Sequence, residues 1–361
     1  MCAVAFLAST VGKVQQVRGN LLDAEVQALV NTVNIVGIMG KGIALQFKKA
    51  FPENYKAYKR ACDAGQVQPG RMFVFDRGAL YSHHRYIINF PTKRHWRSMS
   101  KIEDIESGLA ALVNDTRRLG LVSLAVPPLG CGNGGLEWSV VSKLIARAFA
   151  NVPDVDVLVF ELAGAPAADE MKNRTHRPKM TMGRAAVLGL MGRYLLPRYD
   201  RLSLLELVKL AYFLQEAGEP LKLRFQKDRY GPYADELRHV VERLEGHYVQ
   251  GFGDGKIAPT TEIHLLPQAS EEAEEFLTAY PETRSRFDRV AKLIEGFETP
   301  YGMELLASVH WVATHKEDPL LPVDVEAVIA GVRAWSKRKA KLFEPEHIQA
   351  AWEHLREHQW I

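Results

Sequence analysis

ALVNTVNIVGIMGKGIA, residues 28–44, passes from an apolar run through two asparagines into a glycine-rich turn and then a helix start. Other predicted strands, VSLAVP at residues 122–127 and DVLVFEL at residues 156–162, are continuous apolar runs, which are typical of strands that helices cover on both faces. Glycines let the backbone adopt positive φ and approach a ligand closely, and a helix N-terminus presents unpaired N–H groups to an anion. The stretch therefore predicts a buried strand, a ligand-binding loop and a helix.

A second glycine loop lies further along the chain, in VSLAVPPLGCGNGGLEW at residues 122–138. Four glycines within six residues can form a nest of N–H groups for phosphate, and this loop also links a buried strand to a helix. Neither loop fits the Walker A motif or the dinucleotide fingerprint. Alone, each predicts only a tight turn. Together, after two strands, they predict a diphosphate held at the carboxyl ends of a sheet.

The rest of the chain predicts two domains, as its 361 residues also suggest. Residues 1–162 are expected to form a three-layer α/β/α domain with a mixed central sheet, residues 163–182 a linker, and residues 183–361 a mainly helical α+β domain, for which a winged-helix arrangement stays open. Predicted strands of the first domain are Val14–Val17, Ala28–Val33, Met72–Phe75, Tyr86–Phe90, Val122–Val126 and Asp156–Leu162. Its predicted helices are Gly42–Lys49, Pro52–Ala64, Ser100–Leu119, which Ser100 and Glu103 would begin with a capping box, and Glu137–Ala150. Helices expected in the second domain are Leu202–Gln215, Tyr233–Leu244, Glu271–Tyr280, Glu282–Glu298, Tyr301–Thr314, Val323–Arg338 and Pro345–His358.

Composition excludes several classes of protein. With 47% hydrophobic and 25% charged residues the chain is not disordered, and no apolar run is long enough for a membrane helix. The opening MCAVAFLASTVGK lacks the basic start of a secretory signal. Three scattered cysteines predict a reducing, cytoplasmic environment without disulfides or a zinc site. The pair His83 and His84 is expected at the surface, so we predict no metal site and no cofactor.

The net charge of +3 divides unevenly along the chain. Residues 1–199 carry 26 basic and 15 acidic side chains, a net charge of +11, whereas residues 200–361 carry 20 and 28, a net charge of −8. The basic half favours a polyanionic ligand such as a nucleotide or nucleic acid. The acidic half speaks against a general nucleic-acid-binding protein.

A lysine marks the third polar segment, INFPTKRHWR at residues 88–97, which ends another predicted strand. A lysine amine attacks or polarises a sugar carbon only while it is neutral. We expect Arg94 and Arg97 to lower the pKa of Lys93 by charge repulsion, together with burial against Trp96. An aromatic ring between cations can stack an unpaired base, although Trp96 could equally belong to the core. A solvated basic loop that only contacts phosphate is the alternative to a catalytic site.

These segments, together with VRGNLL at residues 17–22, resemble a macrodomain, and the closest similarity is to DNA ADP-ribosyl glycohydrolase antitoxins of the DarG type. Residues 209–246 resemble the toxin-binding domain of the same antitoxins. The resemblance implies removal of ADP-ribose from thymidine in single-stranded DNA, ADP-ribose as product, a DNA ADP-ribosyltransferase toxin as partner, and Lys93 as the catalytic residue. ADP-ribose contacts are implied for Asn20, Leu21, Thr32, Asn34, Gly37, Ile38, Met39, Gly40, Gly42, Ile43, Ala44, Leu129, Gly130, Cys131, Gly132, Asn133, Gly134 and Gly135, and DNA contacts are expected for Thr92, Arg94, His95, Trp96 and Arg97.

The chain departs from the macrodomain pattern at two of these positions. Asn20 stands where most macrodomains have aspartate, so a hydrogen bond to adenine would lose its charge assistance. Gly134 stands where relatives with this lysine carry an acid, which leaves water or a substrate phosphate to handle protons. The missing acid favours the main alternative, a module that binds ADP-ribose without cleaving it.

Overall fold

The computed structural model describes residues 13–162, 164–195, 201–253, 255, 258–315 and 324–361. The opening residues 1–12, and Val323 at the start of a predicted helix, lie outside the described residues. The chain forms two compact units, one of Met1–His176 with Gly253–Lys256, and one of Arg177–Phe252 with Ile257–Ile361. Within the described residues, no helix has the length and apolar character needed to cross a membrane.

A mixed six-stranded sheet forms the centre of the first unit. Its strands are β1 (Val14–Val17), β2 (Ala28–Asn34), β3 (Phe73–Asp76), β4 (Tyr86–Lys93), β5 (Ser123–Val126) and β6 (Asp156–Phe160). They lie in the order β1-β6-β5-β2-β4-β3, and all neighbours are parallel except β3 and β4. The carboxyl ends of β2, β4 and β5 therefore share one edge of the sheet.

Four helices accompany these strands: α1 (Gly42–Ala50), α2 (Pro52–Asp63), α3 (Ile102–Arg118) and α4 (Trp138–Phe149). Val30 and Ile88 pack into one core with apolar residues of α3 and α4. Their strand neighbours Leu29 and Ile87 pack into a second core, which includes Phe47 of α1. Successive residues of a strand point to opposite faces, so both faces of the central strands are buried. The predicted three-layer α/β/α domain with a mixed sheet is confirmed.

The predicted start of α3 was wrong. The helix begins at Ile102 after Lys101, which makes no side-chain cap, and the expected capping box of Ser100 and Glu103 does not form. Ser100 instead lies against the second glycine loop, where its N–H donates to Gly134 O at 3.0 Å. A tertiary contact has displaced the local capping preference.

The second unit is mainly helical, as predicted, with short strands between the helices. It contains α5 (Met182–Leu195), β7 (Arg201–Ser203), α6 (Leu204–Glu216), β8 (Gln226–Asp228), β9 (Gly231–Tyr233), α7 (Glu236–Leu244), β10 (Val249–Gln250), β11 (Glu262–Leu265), α8 (Ala269–Leu277), α9 (Pro281–Ile294), α10 (Pro300–Thr314), α11 (Val325–Ala334), α12 (Lys337–Leu342) and α13 (Pro345–Glu357). β7, β10 and β11 form an antiparallel sheet, and β8 pairs with β9 as a hairpin.

Two predicted helices of this unit differ from the structure. The helix expected over Val323–Arg338 is two helices, because Ser336 adopts an extended conformation and its side chain accepts from Lys339 N–H to begin α12. The helix expected from Tyr233 begins at Glu236, because Tyr233 belongs to the hairpin strand β9.

Candidate functional site

The site is built where β2 and β4 end side by side. The register of the two strands shifts between Val33 and Asn34, which brings Asn34 opposite Lys93. The next residue, Ile35, continues the pairing by donating its N–H to Lys93 O at 3.1 Å. The first glycine loop and the lysine are therefore held at one point of the sheet edge.

Asn34 shapes the first glycine loop from within. Its Oδ1 accepts from the N–H groups of Val36, at 3.1 Å, and Ile38, at 3.2 Å, and its Nδ2 donates to Ile38 O at 2.6 Å. Tyr58 donates its hydroxyl to Asn34 O at 2.5 Å, and burial raises the pKa of Tyr58 so that the proton stays in place. The side-chain amide of Asn34 thus forms hydrogen bonds within the turn. Its implied contact with the ribose stays a prediction.

The same loop opens onto the N-terminus of α1. Lys41 precedes this helix and makes no side-chain cap, and the N–H groups of a helix's first turn are suited to an anion. Gly37 has a φ of +79°, in the left-handed region that favours glycine, and a methyl group there would also lie 2.6 Å from Lys59 Cδ. Met39 is buried in the core beside Tyr58, whereas Ile38 is exposed at the loop surface. The loop combines a rigid inner side with an accessible outer one.

The second glycine loop is folded tightly upon itself. Leu136 N–H donates to Gly130 O at 3.0 Å, and Gly130 and Gly135 adopt φ values of +71° and +77°. A methyl group on Gly134 would lie 2.2 Å from Gly130 O and 2.3 Å from Ser100 Oγ. The backbone leaves no room for an acidic side chain at position 134. The shape of the loop therefore explains why glycine stands there instead of the acid of macrodomains with this lysine.

Cys131 lies in this loop but has no nucleophilic character. Its side chain is buried, and burial raises the pKa of the thiol to about 11, with a smaller contribution from Glu137. The thiol is therefore protonated at neutral pH, and a thiolate is the reactive form of cysteine.

Lys93 connects the two loops. Its Nζ donates to Asn133 O of the second loop. The Asn133 side chain in turn approaches the first loop, since a methyl group on Gly42 would lie 3.1 Å from Asn133 Nδ2. Lys93 at the end of β4, Gly42 at the start of α1 and Asn133 in the second glycine loop thus form one contiguous group.

Burial lowers the pKa of Lys93, in the direction that the sequence predicts. The predicted cause was wrong in part, because burial accounts for the shift without the two arginines. Arg94 is paired with Asp104 at 2.9 Å, and Arg97 lies over Trp96 with its guanidinium carbon 4.4 Å from the ring centroid. Both arginines are occupied with other partners.

Trp96 forms an exposed aromatic platform next to this lysine in sequence. It is 43% exposed, so it does not belong to the core, and the ring of His95 lies with its centroid 5.4 Å from that of Trp96. Thr92, by contrast, is buried and donates its hydroxyl to Val33 O at 3.4 Å. Of the predicted DNA contacts, His95, Trp96 and Arg97 form one exposed cluster.

The segment implied for adenine follows β1. Asn20 caps a short 3-10 helix, Leu21–Asp23, and its Oδ1 accepts from Leu22 N–H at 3.1 Å. Leu21 itself is buried. The Asn20 amide oxygen therefore has a local structural role before any ligand binds.

The two neighbouring histidines differ from each other. His83 is exposed as predicted, but the prediction for His84 was wrong, since its ring is half-buried and donates from Nε2 to Ala24 O at 2.6 Å. Burial lowers the pKa of His84, so the ring is neutral at pH 7. The backbone of His84 has a positive φ of 52°.

Sequence reasoning missed a buried amide network below the first loop. Asn31 Nδ2 donates to Asn89 Oδ1 at 3.0 Å, and Asn89 Nδ2 donates to Asn54 Oδ1 at 2.7 Å. All three side chains are fully buried. Buried amides of this kind fix strand and helix positions, because an unpaired one is costly. The sequence did contain a signal for this network, because Asn31 and Asn89 each interrupt an apolar strand.

Sequence reasoning also missed a distant segment that returns to this unit. Lys49 donates its ammonium to Gly253 O at 3.1 Å. A methyl group on Gly255 would lie 2.8 Å from Gly40 O and 3.2 Å from Leu45 Cδ2. Gly255 therefore lies directly against the first glycine loop and the start of α1.

The sheet order, the two glycine loops and the lysine between them define a macrodomain. The macro domain family matches residues 30–145. The DNA ADP-ribosyl glycohydrolase of Thermus aquaticus is 50% identical over 335 residues, which is 93% of this chain and 91% of the relative. That of Mycobacterium tuberculosis is 43% identical and covers 92% of this chain and 96% of the relative. The solved macrodomain of Thermus aquaticus DarG is 57% identical, covering 42% of this chain and 99% of that one with a TM-score of 0.41.

The chain belongs to the family of DNA ADP-ribosyl glycohydrolases, because the similarity to these relatives extends over both of its units. It is therefore an enzyme, and the family predicted from the sequence motifs is confirmed. A similarity of 39% over 145 residues links it to a DNA ADP-ribosyl transferase–DNA ADP-ribosyl glycohydrolase fusion protein of Thermosipho africanus.

Proposed function

We propose that the chain hydrolyses the N-glycosidic bond between ADP-ribose and thymidine in single-stranded DNA. Water would supply the oxygen that joins the anomeric carbon and the proton that returns to the base nitrogen, so that ADP-ribose and unmodified DNA are released. The observation that carries the proposal is Lys93, partly buried at the glycine loops and bonded to Asn133 O of the second one.

The two loops suit the diphosphate part of such a substrate. The uncapped N-terminus of α1 and the positive-φ glycines at Gly130 and Gly135 provide backbone N–H groups without the bulk of side chains. A diphosphate held there would bring the attached ribose towards Lys93. The lowered pKa of Lys93 increases the fraction of neutral amine that can act on the anomeric carbon.

DNA would approach over the exposed cluster of His95, Trp96 and Arg97. Stacking of a base on an aromatic ring contributes about 1–3 kcal/mol and tolerates any sequence. Trp96 offers an accessible ring for this purpose, and Arg97 adds positive charge beside it. This cluster would select DNA over free ADP-ribose.

The sequence-based alternative, a non-catalytic reader of ADP-ribose, rested on the glycine at position 134, where the backbone leaves no room for an acid. A time course on an oligonucleotide that carries ADP-ribosyl-thymidine separates the two functions. The enzyme releases ADP-ribose progressively at substoichiometric protein, whereas a reader retains intact modified DNA. ADP-ribosylated protein, run alongside, measures selectivity for the DNA linkage.

We further propose that the second unit binds a DNA ADP-ribosyltransferase toxin and that the chain acts as its antitoxin. Residues 200–361 carry a net charge of −8, and the five basic residues at 177–199 bring the second unit to a net charge of −3, a negative charge complementary to the basic cleft that a DNA-modifying enzyme needs. Part of this charge is already neutralised, since Glu272 pairs with Arg177 at 2.9 Å and Glu274 with Arg284 at 3.3 Å. Glu271 and Glu275 remain exposed on α8 as candidate contacts.

The toxin interaction is tested with the full chain after its catalysis has been removed. Lys93→Ala, mixed with toxin and DNA, should still reduce DNA modification, because occlusion does not need the glycohydrolase. The double variant Glu271→Lys/Glu275→Lys on that background should bind the toxin more weakly. Unchanged toxin activity with Lys93→Ala would show that neutralisation depends on DNA repair alone.

A further inference from the structure

The last turn of α13 brings together two histidines and a glutamate. The sequence His354-Leu355-Arg356-Glu357-His358 places the three side chains at spacings of three and four residues, which share one face of a helix. One potential ligand atom of each residue lies within 4.8 Å of those of the other two. The rings of His354 and His358 have their centroids 4.2 Å apart.

Hydrogen bonds to backbone carbonyls fix the tautomer of both rings. A carbonyl oxygen only accepts, so His354 donates from Nε2 to Leu293 O at 2.7 Å, and His358 donates from Nδ1 to His354 O at 2.9 Å. The second nitrogen of each ring, His354 Nδ1 and His358 Nε2, is therefore the one that can offer a lone pair to a metal. Metal-binding histidines characteristically donate their other ring N–H to a carbonyl or carboxylate in this way.

Packing holds this helix end in place. The ring of His354 lies against Phe297 with centroids 4.8 Å apart. After the helix, Gln359 adopts a φ of 58°. The side chain of Trp360 is buried, and its backbone N–H donates to Leu355 O at 2.8 Å. Arg289 donates to Gln359 O at 2.9 Å. The two imidazoles are therefore fixed before any ligand arrives.

We propose that His354, Glu357 and His358 bind a divalent transition-metal cation of the Zn²⁺ or Co²⁺ type. Two imidazoles and one carboxylate are a ligand set that these ions accept, with water completing the coordination. The helix C-terminus carries a partial negative charge, which disfavours the Glu357 carboxylate and favours a cation beside it. The proposal departs from the prediction of no metal site, which rested on the cysteines and on His83 and His84.

A purely structural role is the competing explanation, because histidines near a helix C-terminus also bond its last carbonyls. That role uses one nitrogen of each ring and does not require Glu357. It therefore predicts no metal affinity, and it predicts that Glu357 can be replaced without any change in metal binding.

The test uses the full chain, freed of metal with a chelator, and titrated with Zn²⁺ against a chromophoric competitor and with Co²⁺ under visible spectroscopy. We expect one equivalent of Zn²⁺ per chain and cobalt absorption bands of a site with low coordination number. His354→Gln and His358→Gln keep an amide donor for the carbonyls but lose the lone pair. Each should weaken binding at least about tenfold, since even partners outside the ligand set contribute that much.

Two further variants complete the design. Glu357→Gln, at an exposed position, should also weaken Zn²⁺ binding while the fold is retained, and His239→Gln, on the exposed face of α7, is the matched control that should bind as the wild type. Absence of Zn²⁺ binding by the folded wild type would overturn the proposal. Wild-type affinity in all three ligand variants would do the same.

Discussion

Replacing Gly134 by alanine should damage the second glycine loop without touching any catalytic group. A methyl group there would lie 2.2 Å from Gly130 O and 2.3 Å from Ser100 Oγ, more than 1 Å inside an ordinary 3.4 Å contact. The φ of Gly134 is not in the left-handed region, so the strain is purely steric. The loop must move away from Ser100, and the two sides of the site move apart with it.

The magnitude follows from the contacts that are lost. Overpacking of this kind costs about 1–3 kcal/mol. Loss of the 3.0 Å bond from Ser100 N–H to Gly134 O adds about 0.5–1.5 kcal/mol. If the loop opens rather than the protein unfolding, the lower end of this cost appears as weaker ligand binding, and about 1.4 kcal/mol corresponds to tenfold in affinity. We therefore expect ADP-ribose to bind about tenfold more weakly to Gly134→Ala.

Gly132→Ala is the matched control within the same loop. A methyl group on Gly132 would meet nothing within 4 Å, and its φ is not positive. Calorimetry with ADP-ribose and thermal unfolding of both variants check the prediction. Equal affinity and equal Tm for Gly134→Ala and Gly132→Ala would refute the steric reasoning and leave the glycine at position 134 without a structural explanation.

Three further predictions concern other parts of the first unit. Because burial lowers the pKa of Lys93 and the neutral amine is the active form, the single-turnover rate on modified DNA should rise with pH through that pKa, below the ordinary lysine value of 10.5; a rate that falls over this range would contradict it. Trp96→Ala should raise KM for modified DNA, because the variant loses about 1–3 kcal/mol of stacking free energy. Calorimetry should show unchanged affinity for free ADP-ribose. Gly108→Ala should lower the free energy of unfolding, measured in urea, by about 1–2 kcal/mol. The added methyl group would lie 2.2 Å from Phe90 Cζ, and the cost of this overpacking exceeds the gain in helix propensity. An unchanged or raised free energy of unfolding would show that Phe90 can move aside.

The layers of the first unit could be predicted because local and global preferences agree there. β1 has the predicted bounds, and α4 begins and ends within one residue of the predicted ones. Continuous apolar strands and amphipathic helices leave few other arrangements. Ser100 was misjudged because its capping preference competes with a contact to Gly134, more than thirty residues away in sequence.

Helix α5 was missed for the opposite reason. Its residues 185–192 are all buried, so apolar side chains surround the helix and the sequence shows no amphipathic period. At the site, motif and residue type located both glycine loops and Lys93. They could not show that the Asn34 amide closes its own loop, because a turn and a ligand use the same hydrogen-bonding groups.

The central claim is that Lys93 cleaves the bond that the glycine loops position. Its most direct test is the time course of ADP-ribose release from an oligonucleotide carrying ADP-ribosyl-thymidine, with Lys93→Ala compared with Lys143→Ala, an exposed lysine in the middle of α4. The account predicts that Lys93→Ala leaves the substrate intact but still binds ADP-ribose, while Lys143→Ala turns over like the wild type. Release of ADP-ribose by Lys93→Ala at the wild-type rate would contradict it.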